Sequence, residues 1–485
     1  MSTAVTNYSM FVAGSWRESE SGARTDATSP ATGETIGTVP EGTREDAQRA
    51  IAAANAASRE WAGRSVFERA AAMERVAAII EGRRDELAHT LTLDQGKPLR
   101  AESYAEVDEL IEYWRMAAAD ARRLEGLMPP SVDATKRVLA YRVPRGVVGV
   151  ITPWNWPYTM AAEVVAPALA SGNTVVWGPA TSTAVCSVKL AECVVDAELP
   201  AGVFNMVTGP GSVVGDEIAA NPGTHAIGFV GSIATGHRVA ERAAGKPVLL
   251  EMGGNGPLVV LDDADLDAAV EATLAAAFLC AGQSCTAGER FLVHEDIHDE
   301  FLDKLIAATS KEIRLGDPFT DETTMGPLNN EGTAAKMDAH VADALERKAE
   351  LVSGGVRATG FPTNLYYEAT VLDRVTDEME VAREETFGPV VPISTIRREE
   401  DALAVIDSSP YGLLAAVFTK DLRRGLRFAE AARAGWVNVN ESTNYWESHL
   451  PFGGRAGSQS GIGRVGGRFS METFTELKTV VVNLG

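Results

Sequence analysis

The sequence predicts an α/β protein of two or three domains, and three observations lead to this fold class. Between residues 146 and 262, short β-rich runs alternate with helical segments, which is typical of a doubly wound parallel sheet. A second α/β alternation extends from residue 264 to residue 451. The chain has 485 residues, too many for one simple core. Because such sheets bind ligands beyond the carboxyl ends of their strands, the functional site is expected there.

The regions that flank these alternations are predicted to be hairpins, helices and strands. Residues 8–40 alternate short apolar runs with Gly and Ser, which indicates hairpins. Residues 44–123 are rich in Ala and place apolar residues three and four apart, which favours helices. Residues 127–143 have the composition of a protruding strand pair, and residues 478–483 form a β-type run with no obvious partner nearby. The first alternation predicts strands near 147–151, 174–177, 203–207, 226–230 and 248–250.

The composition excludes several classes of partner. The formal net charge of −23 and the pI near 4.8 argue against nucleic acid and against anionic membranes as partners. No run approaches the roughly 20 apolar residues of a membrane span, and the first eight residues do not have a basic segment followed by an apolar core. The four cysteines form no C-x-x-C pair and no metal-binding spacing. A cytoplasmic protein without a metal site is therefore expected.

One cysteine is placed as a nucleophile would be. Cys285 lies among small residues, after an apolar segment and before a strand-like run, so its thiol is sterically open. A buried structural cysteine is an equally good interpretation of this segment alone. A second segment favours the nucleophile: upstream, Glu251 lies between apolar residues and a pair of glycines, where partial desolvation raises the pKa of a carboxyl toward that of a general base.

These two segments resemble the G-Q-x-C and L-E-x-G-G motifs of the aldehyde dehydrogenase superfamily. The resemblance implies NAD(P)-dependent oxidation of an aldehyde to a carboxylic acid, through a thiohemiacetal and a thioester on Cys285, with Glu251 activating water. It also implies that family's α/β fold and a homodimer or homotetramer. The expected parts are a Rossmann-type NAD(P)-binding domain (1–126 and 145–250), a catalytic α/β domain (251–467) and oligomerisation strands (127–144 and 468–485).

The segment 152–157 resembles the family's T-P-W-N-x-P motif. By that resemblance, the Asn155 amide and the backbone N–H of Cys285 form an oxyanion hole, which contributes about 2.7–4 kcal/mol to lowering the barrier. Thr152, Pro153 and Trp154 are expected beside the cofactor. The alternative is that Asn155 caps the helix that follows.

Two glycine clusters compete as the nucleotide loop. Gly209-Pro-Gly211 follows one predicted strand, and Gly228-Phe229-Val-Gly231-Ser232 follows another and opens a helix, where amides and the Ser232 hydroxyl could meet a pyrophosphate. Ordinary tight turns explain either cluster equally well in isolation. The resemblance places Phe229, Gly231 and Ser232 at the pyrophosphate and Gly211 beside the adenine.

The chain departs from the family at the adenosine ribose. The family's W-K-P-x-E becomes Trp177-Gly178-Pro-Ala-Thr181 here, so the lysine and the glutamate that hold the ribose hydroxyls are both replaced. A glutamate at Thr181 would repel a 2′-phosphate, and a lysine at Gly178 would attract one. Since each charged hydrogen bond contributes roughly 1.5–3 kcal/mol, weakened or differently organised cofactor binding is expected. Either NAD or NADP is possible, and NAD is favoured.

The remaining motifs concern the nicotinamide and the substrate. Glu384-Glu385-Thr-Phe387-Gly-Pro resembles the family's E-E-x-F-G-P, which places Glu385 at the nicotinamide ribose and Phe387 near the ring. Pro451-Phe452-Gly-Gly matches the family's P-F-G-G, and the loop 455–464 that follows is longer than usual and is expected to border the substrate entrance.

Glu163, Trp156, Trp446 and Phe452 are candidates for the substrate tunnel. Succinate-semialdehyde relatives carry an arginine at about the position of Glu163. If Glu163 faces the tunnel, it repels anionic aldehydes and leaves neutral or cationic ones; if it faces solvent, it decides nothing. Trp446 hints at apolar or aromatic aldehydes, although it could equally belong to the core. The predicted substrate is a neutral aromatic or aliphatic aldehyde.

Two other functions remain open from the sequence. A coenzyme A acylating enzyme of this family is disfavoured because such members typically lack the glutamate found here at Glu251. A non-catalytic member is suggested by the replacements at Gly178 and Thr181. The joint presence of four sites argues against it: Cys285, Glu251, Asn155 and Glu385.

Overall fold

The computed structural model describes residues 5–485, so residues 1–4 of the predicted cofactor-binding segment lie outside the description. The strands are, in chain order, β1 (Met10–Val12), β2 (Ser15–Arg17), β3 (Arg24–Thr28), β4 (Thr35–Pro40), β5 (Lys136–Pro144), β6 (Val147–Ile151), β7 (Thr174–Gly178), β8 (Phe204–Met206), β9 (Ala226–Gly231), β10 (Val248–Met252), β11 (Gly256–Val260), β12 (Gly288–His294), β13 (Glu350–Ser353), β14 (Thr370–Asp373), β15 (Val390–Ile396), β16 (Leu414–Phe418), β17 (Trp436–Val439), β18 (Gly461–Ile462) and β19 (Thr475–Asn483). These strands form two large sheets and two strand pairs.

The α-helices are, in chain order, α1 (Arg44–Gly63), α2 (Val66–Gly82), α3 (Arg84–Gln95), α4 (Tyr104–Ala121), α5 (Thr159–Ala170), α6 (Ala184–Asp196), α7 (Asp216–Ala220), α8 (Ile233–Arg242), α9 (Leu266–Phe278), α10 (His298–Glu312), α11 (Glu331–Glu346), α12 (Glu380–Arg383), α13 (Glu399–Ser408), α14 (Leu422–Ala431) and α15 (Gly467–Phe474). Local sequence fixes several starts. Capping boxes begin α1 at Thr43 with Asp46 and α2 at Ser65 with Glu68, and each box satisfies otherwise unpaired amides of the first turn.

The first sheet has the order β18-β10-β9-β6-β7-β8-β1-β2. Its five central strands run parallel, with helices between successive strands, and the hairpin β1–β2 extends one edge in antiparallel sense. All five strands predicted for the first alternation are present. At the other edge, β18 pairs antiparallel with β10 and sets Gly461 opposite Glu251. The long loop 455–464 therefore supports the Glu251 strand directly, a contact that its sequence did not indicate.

The second sheet has the order β13-β14-β15-β12-β11-β16-β17 and is parallel except for its edge strand β13. The chain leaves the first sheet at the end of β10 and enters the second at β11, only a few residues later. Glu251 therefore lies at the carboxyl end of a parallel strand, at the crossing between the two sheets. This is the edge where α/β sheets bind their ligands.

The protruding arm differs from the predicted strand pair. Residues 127–143 supply one strand, β5, and its partner is β19, paired antiparallel along its whole length. Leu127 contributes a single bridge to Ala140. The predicted strand segment 468–485 is helical up to Phe474, because Met471 and Phe474 turn into the core. The run around 478–483 thus finds its partner from a distant part of the sequence.

The remaining elements follow the sequence pattern. The hairpins β1–β2 and β3–β4 and the helices α1–α4 occupy residues 10–121, as predicted. The helices bury Trp61 and Trp114 in a core shared with α5 and α6, where Cys186 and Cys193 are also buried. Among residues 5–485, none of the helices is long and apolar enough to cross a membrane.

Candidate active site

The loop that presents Cys285 has an unusual backbone. After α9 ends, Cys280, Ala281 and Gly282 all have positive φ (54°, 53° and 73°), a region that costs a residue with a side chain on the order of 1–3 kcal/mol. Two buried side chains hold this turn. Both Glu102 carboxylate oxygens accept from the Cys280 amide at 3.1 Å, and the Gln283 side chain donates to the Cys280 carbonyl at 2.8 Å. The strained turn directs the chain so that Cys285 reaches the cavity.

Glu251 and Cys285 face the same cavities from opposite sheets. Glu251 is 3% exposed, and burial raises its pKa to about 8; the neighbouring Cys285 thiol partly offsets this rise. Its Oε1 has no hydrogen-bond partner within residues 5–485. Burial and then the nearby Glu251 carboxyl raise the pKa of the Cys285 thiol well above its usual range. A positive charge bound near Cys285 would lower the pKa of its thiol and favour the thiolate.

The two glycines after Glu251 permit the close approach of the flanking segments. A Cβ on Gly253 would lie 2.7 Å from both carboxylate oxygens of Glu385, and a Cβ on Gly254 would lie 2.5 Å from the Cys285 carbonyl oxygen. A larger residue at either position would therefore force the neighbouring segment to move away. The amide of Gly254 also donates to Glu385 Oε1 at 2.9 Å. The double glycine of the motif thus brings Cys285 and Glu385 next to the Glu251 strand.

Asn155 lies beside the cysteine loop rather than capping a helix. It follows β6, it is 5% exposed, and its Nδ2 donates to the Gln283 carbonyl at 3.0 Å. Helix α5 begins at Thr159 without a side-chain cap. The amide nitrogen carries a second N–H that this hydrogen bond does not use.

Glu289 fixes the Glu385 loop and was not foreseen. Its two carboxylate oxygens accept from the amides of Thr386 (2.6 Å) and Phe387 (2.7 Å), and Phe387 itself has a positive φ of 62°. Burial raises the pKa of both Glu289 and Glu385. The one indication in the sequence that Glu289 lies near the site is its position four residues after Cys285.

A larger cavity of about 290 Å³ lies between the two sheets. Of the residues predicted to bind cofactor, it brings together Pro153, Trp154, Gly231, Ser232, Glu385 and Phe387. Trp154 and Phe387 meet edge to face with ring centroids 5.6 Å apart. Lining residues that sequence reasoning missed are Asn330, Gly332, Thr333 and Lys336, at the start of α11, together with Met160, Val230, Gly253 and Thr386.

The Ser232 loop opens a helix at this cavity. Ser232 is the N-cap of α8, and both Gly231 and Ser232 line the cavity. Phe229 does not line the cavity. It is 3% exposed in the core beneath the loop, where its ring lies 2.8 Å from the position that a Cβ on Gly231 would occupy.

The other predicted cofactor residues lie along the same sheet edge but outside the cavity. Thr152 is buried and accepts from the Trp177 indole at 2.8 Å. Gly178 ends β7, Thr181 is half-buried in the next turn, and Gly211 is exposed in the turn after β8. A Cβ on Gly178 would lie 3.5 Å from Val214, so these two turns are adjacent.

A smaller cavity of about 40 Å³ adjoins the first. All four predicted tunnel residues line it: Trp156, Glu163, Trp446 and Phe452. Missed lining residues are Met160, Leu279, Ser284, Thr286 and Asn444. Asn155, Met160, Glu251 and Cys285 line both cavities. The cysteine therefore lies where the two spaces meet.

Glu163 faces this smaller cavity and not solvent. It is 2% exposed on α5, and its Oε1 accepts from the Tyr113 hydroxyl at 3.2 Å. Burial, then Glu251 and Glu109, raise its pKa well above its usual range. Of the described residues that line the cavity, none is Lys, Arg or His. An anionic substrate would find no counter-charge there.

Comparisons with known proteins agree with this geometry. The model of the aldehyde dehydrogenase family matches residues 16–480. The NADP-dependent succinate-semialdehyde dehydrogenase of Escherichia coli is 38% identical over 473 residues, covering 97% of each chain. The betaine aldehyde dehydrogenase of Bacillus subtilis is 38% identical over 482 residues, covering 98% of this chain and 97% of that one.

Solved structures give the same result. The structure of an NAD-dependent aldehyde dehydrogenase from Sinorhizobium meliloti superposes with a TM-score of 0.96 at 38% identity, covering 99% of this chain and 95% of that one. The match thus extends over both sheets and the arm. The chain belongs to the aldehyde dehydrogenase family.

Proposed function

We propose that this protein oxidises an uncharged aromatic or aliphatic aldehyde to its carboxylic acid, with NAD(P) as the oxidant and water as the second substrate. One observation carries the proposal. Cys285, Glu251 and Asn155 lie together where a cavity lined by predicted cofactor-binding residues meets a smaller one lined by aromatic side chains.

The proposed reaction assigns one role to each of these residues. The Cys285 sulfur attacks the carbonyl carbon, while the free N–H of Asn155 and the Cys285 amide stabilise the oxyanion. Oxidation converts this thiohemiacetal to a thioester on Cys285. Glu251 then takes a proton from water, and the hydroxide released hydrolyses the thioester to the acid. The unpartnered Oε1 of Glu251 is available for this water.

The described residues fit a nicotinamide cofactor. Gly231 and Ser232 at the start of α8 would hold its pyrophosphate, Glu385 its nicotinamide ribose, and Trp154 and Phe387 would flank its ring. When bound, the oxidised nicotinamide supplies a hydride acceptor and a positive charge beside Cys285. We propose accordingly that the first sheet, with residues 1–126 and 145–250, is the cofactor domain and that residues 251–467 form the catalytic domain.

The assay that tests this function follows absorbance of reduced nicotinamide with simple aromatic and aliphatic aldehydes, with NAD and NADP in parallel and without coenzyme A. Turnover with acid as the product is expected. Turnover only after coenzyme A is added would instead identify an acylating enzyme. A complete lack of turnover across the panel would contradict the proposal and favour a non-catalytic family member.

Thioester hydrolysis is expected to depend on pH through Glu251. Its pKa of about 8 means that the carboxyl is protonated below that pH and cannot accept a proton from water. The hydrolysis rate should therefore fall about tenfold for each pH unit below 8 and level off above it. Stopped-flow decay of the acyl-enzyme across pH checks this, and the Glu251→Gln variant should lose the dependence. A flat profile in the unmodified enzyme would contradict the role.

Cofactor choice is expected to respond to position 178. We propose a preference for NAD because Gly178 offers no cation to a 2′-phosphate. Gly178→Lys should raise kcat/KM for NADP by about tenfold or more, since a charged hydrogen bond contributes roughly 1.5–3 kcal/mol. The new side chain must displace only the Ile218 methyl, which lies 3.0 Å from the position that a Cβ would occupy. The matched control, Gly178→Leu, adds bulk without charge and should not favour NADP; an equal gain in both variants would contradict the argument.

We propose further that the protein is a homodimer or homotetramer in a reducing compartment such as the cytoplasm. The arm β5–β19 leaves Tyr141, Leu477, Val481 and Val482 exposed, and exposed apolar strands favour association. All four cysteines are free thiols. Light scattering should give the mass of two or four chains, and deletion of residues 475–485 should reduce it. A monomeric mass for the full chain would contradict the association.

A further inference from the structure

The carboxyl group of Glu163 has hydrogen-bonding capacity that the protein uses only in part. It is buried in the wall of the smaller cavity, with the Tyr113 hydroxyl as its donor at 3.2 Å. An ionised carboxylate offers about four lone-pair positions, and a protonated carboxyl group keeps its carbonyl oxygen as an acceptor. A buried polar group with unused capacity is costly unless a partner arrives, and here the accessible side is the substrate cavity.

The hydroxyl and primary amide side chains of this cavity are already engaged or assigned. The hydroxyls of Ser284 and Thr286 share a hydrogen bond of 2.7 Å, and Thr286 donates to Asn444 Oδ1. Asn444 in turn donates to the Ala275 carbonyl at 2.6 Å. Asn155, Glu251 and Cys285 are assigned to the reaction itself. Glu163 remains to recognise the part of the substrate away from the aldehyde.

The surroundings of Glu163 are aromatic and acidic. Trp446 packs 5.7 Å from Phe452 and 6.2 Å from Tyr113, measured between ring centroids. Glu109 on α4 and Glu251 are the acidic side chains that raise the pKa of Glu163 in addition to burial. Behind the wall, Lys97 is paired with Glu106 and covered by the Trp156 ring, 3.4 Å from its centroid. The cavity is therefore narrow, has aromatic rings in its wall, and offers an acceptor to the group that enters it.

We propose that the preferred aldehyde carries a hydrogen-bond donor at the end remote from its carbonyl, a hydroxyl or an ammonium group, and that the Glu163 carboxyl accepts this hydrogen bond. The inference rests on the proposed aldehyde oxidation and specifies its substrate. This preference would distinguish the chain from relatives named for semialdehydes of dicarboxylic acids. The end of such a semialdehyde remote from its carbonyl is a carboxylate, which can only accept hydrogen bonds.

A matched series of aldehydes on one skeleton tests the proposal. Para-ethylbenzaldehyde has no donor, para-(hydroxymethyl)benzaldehyde has an uncharged one, para-(aminomethyl)benzaldehyde has a cationic one, and para-formylbenzoate is anionic. The meta isomers form a second series in case the depth of the cavity favours them. For the unmodified enzyme, at least one donor compound should exceed its ethyl counterpart in kcat/KM by about tenfold, and the anion should be the poorest.

Variants of Glu163 assign the preference to this residue. Glu163→Leu should reduce the donor-to-ethyl ratio to about one. Glu163→Gln keeps an acceptor oxygen but cannot ionise when a cation binds beside it, so it should retain the ratio for the hydroxymethyl compound and lose it for the aminomethyl compound. Glu112→Gln changes an exposed carboxyl on α4, the helix that also carries Tyr113; it serves as the control and should leave every ratio unchanged.

Each result has a distinct meaning. A preference for the hydroxymethyl or the aminomethyl compound that disappears in Glu163→Leu supports the proposal and identifies the donor. Equal turnover of the ethyl and donor compounds in both series overturns it while leaving aldehyde oxidation intact. A preference that survives Glu163→Leu overturns the role of Glu163. Absence of turnover for every aldehyde contradicts the proposed function itself.

Discussion

Replacing Cys285 with alanine is expected to lower aldehyde oxidation by a factor of at least about 10⁴, because no other group at the junction of the cavities can form the thioester. The variant should fold, since Cys285 is only half-buried and its loop is held by Glu102 and Gln283 rather than by the thiol. The measurement is the rate of nicotinamide reduction per folded subunit.

Cys193→Ala is the matched control for this variant. Cys193 is buried on α6, where burial raises the pKa of its thiol to about 12, so it is unreactive. Its removal should cost roughly 1 kcal/mol of folding free energy and leave the rate per folded subunit unchanged. Substantial oxidation by Cys285→Ala would show that the thiol does not carry the acyl group.

Replacing Glu251 with glutamine is expected to separate the two halves of the reaction. Glutamine preserves the volume and the contacts of the side chain but cannot accept the proton of water. One equivalent of reduced nicotinamide per active subunit should therefore form rapidly, after which steady-state turnover should fall by a factor of about 10² to 10⁴. Stopped-flow absorbance measures the burst, and mass spectrometry of the quenched protein should find the acyl group on Cys285.

Glu271→Gln, on the exposed side of α9, is the control and should retain both phases. Loss of the burst in Glu251→Gln would place the role of Glu251 before the thioester, in activation of the thiol. An unchanged steady-state rate would exclude Glu251 as the base.

Local sequence pattern was enough to predict the two α/β alternations and to single out the residues proposed for the reaction. Few folds other than a parallel α/β sheet are compatible with apolar β-rich runs that alternate with helical segments. The central strands of the first sheet were therefore predicted within one or two residues. Cys285 and Glu251 were candidates from their residue types and surroundings, and the resemblance of short motifs to those of the family assigned the expected roles of these two residues, Asn155 and Glu385. Local pattern could not supply Lys336 or Glu289, because each reaches the site from an element whose own pattern is that of an ordinary helix or strand.

The meeting of distant segments depends on tertiary packing. The strand β19 shows no partner in its sequence neighbourhood because its partner β5 precedes the central strands of the first sheet, far away in the sequence. The orientation of Glu163 was equally hidden. Every residue of α5 is buried, so the helix has no polar face from which the direction of one carboxyl could be inferred. Packing of α5 against α4 and α15, and not local sequence, turned that carboxyl into the substrate cavity.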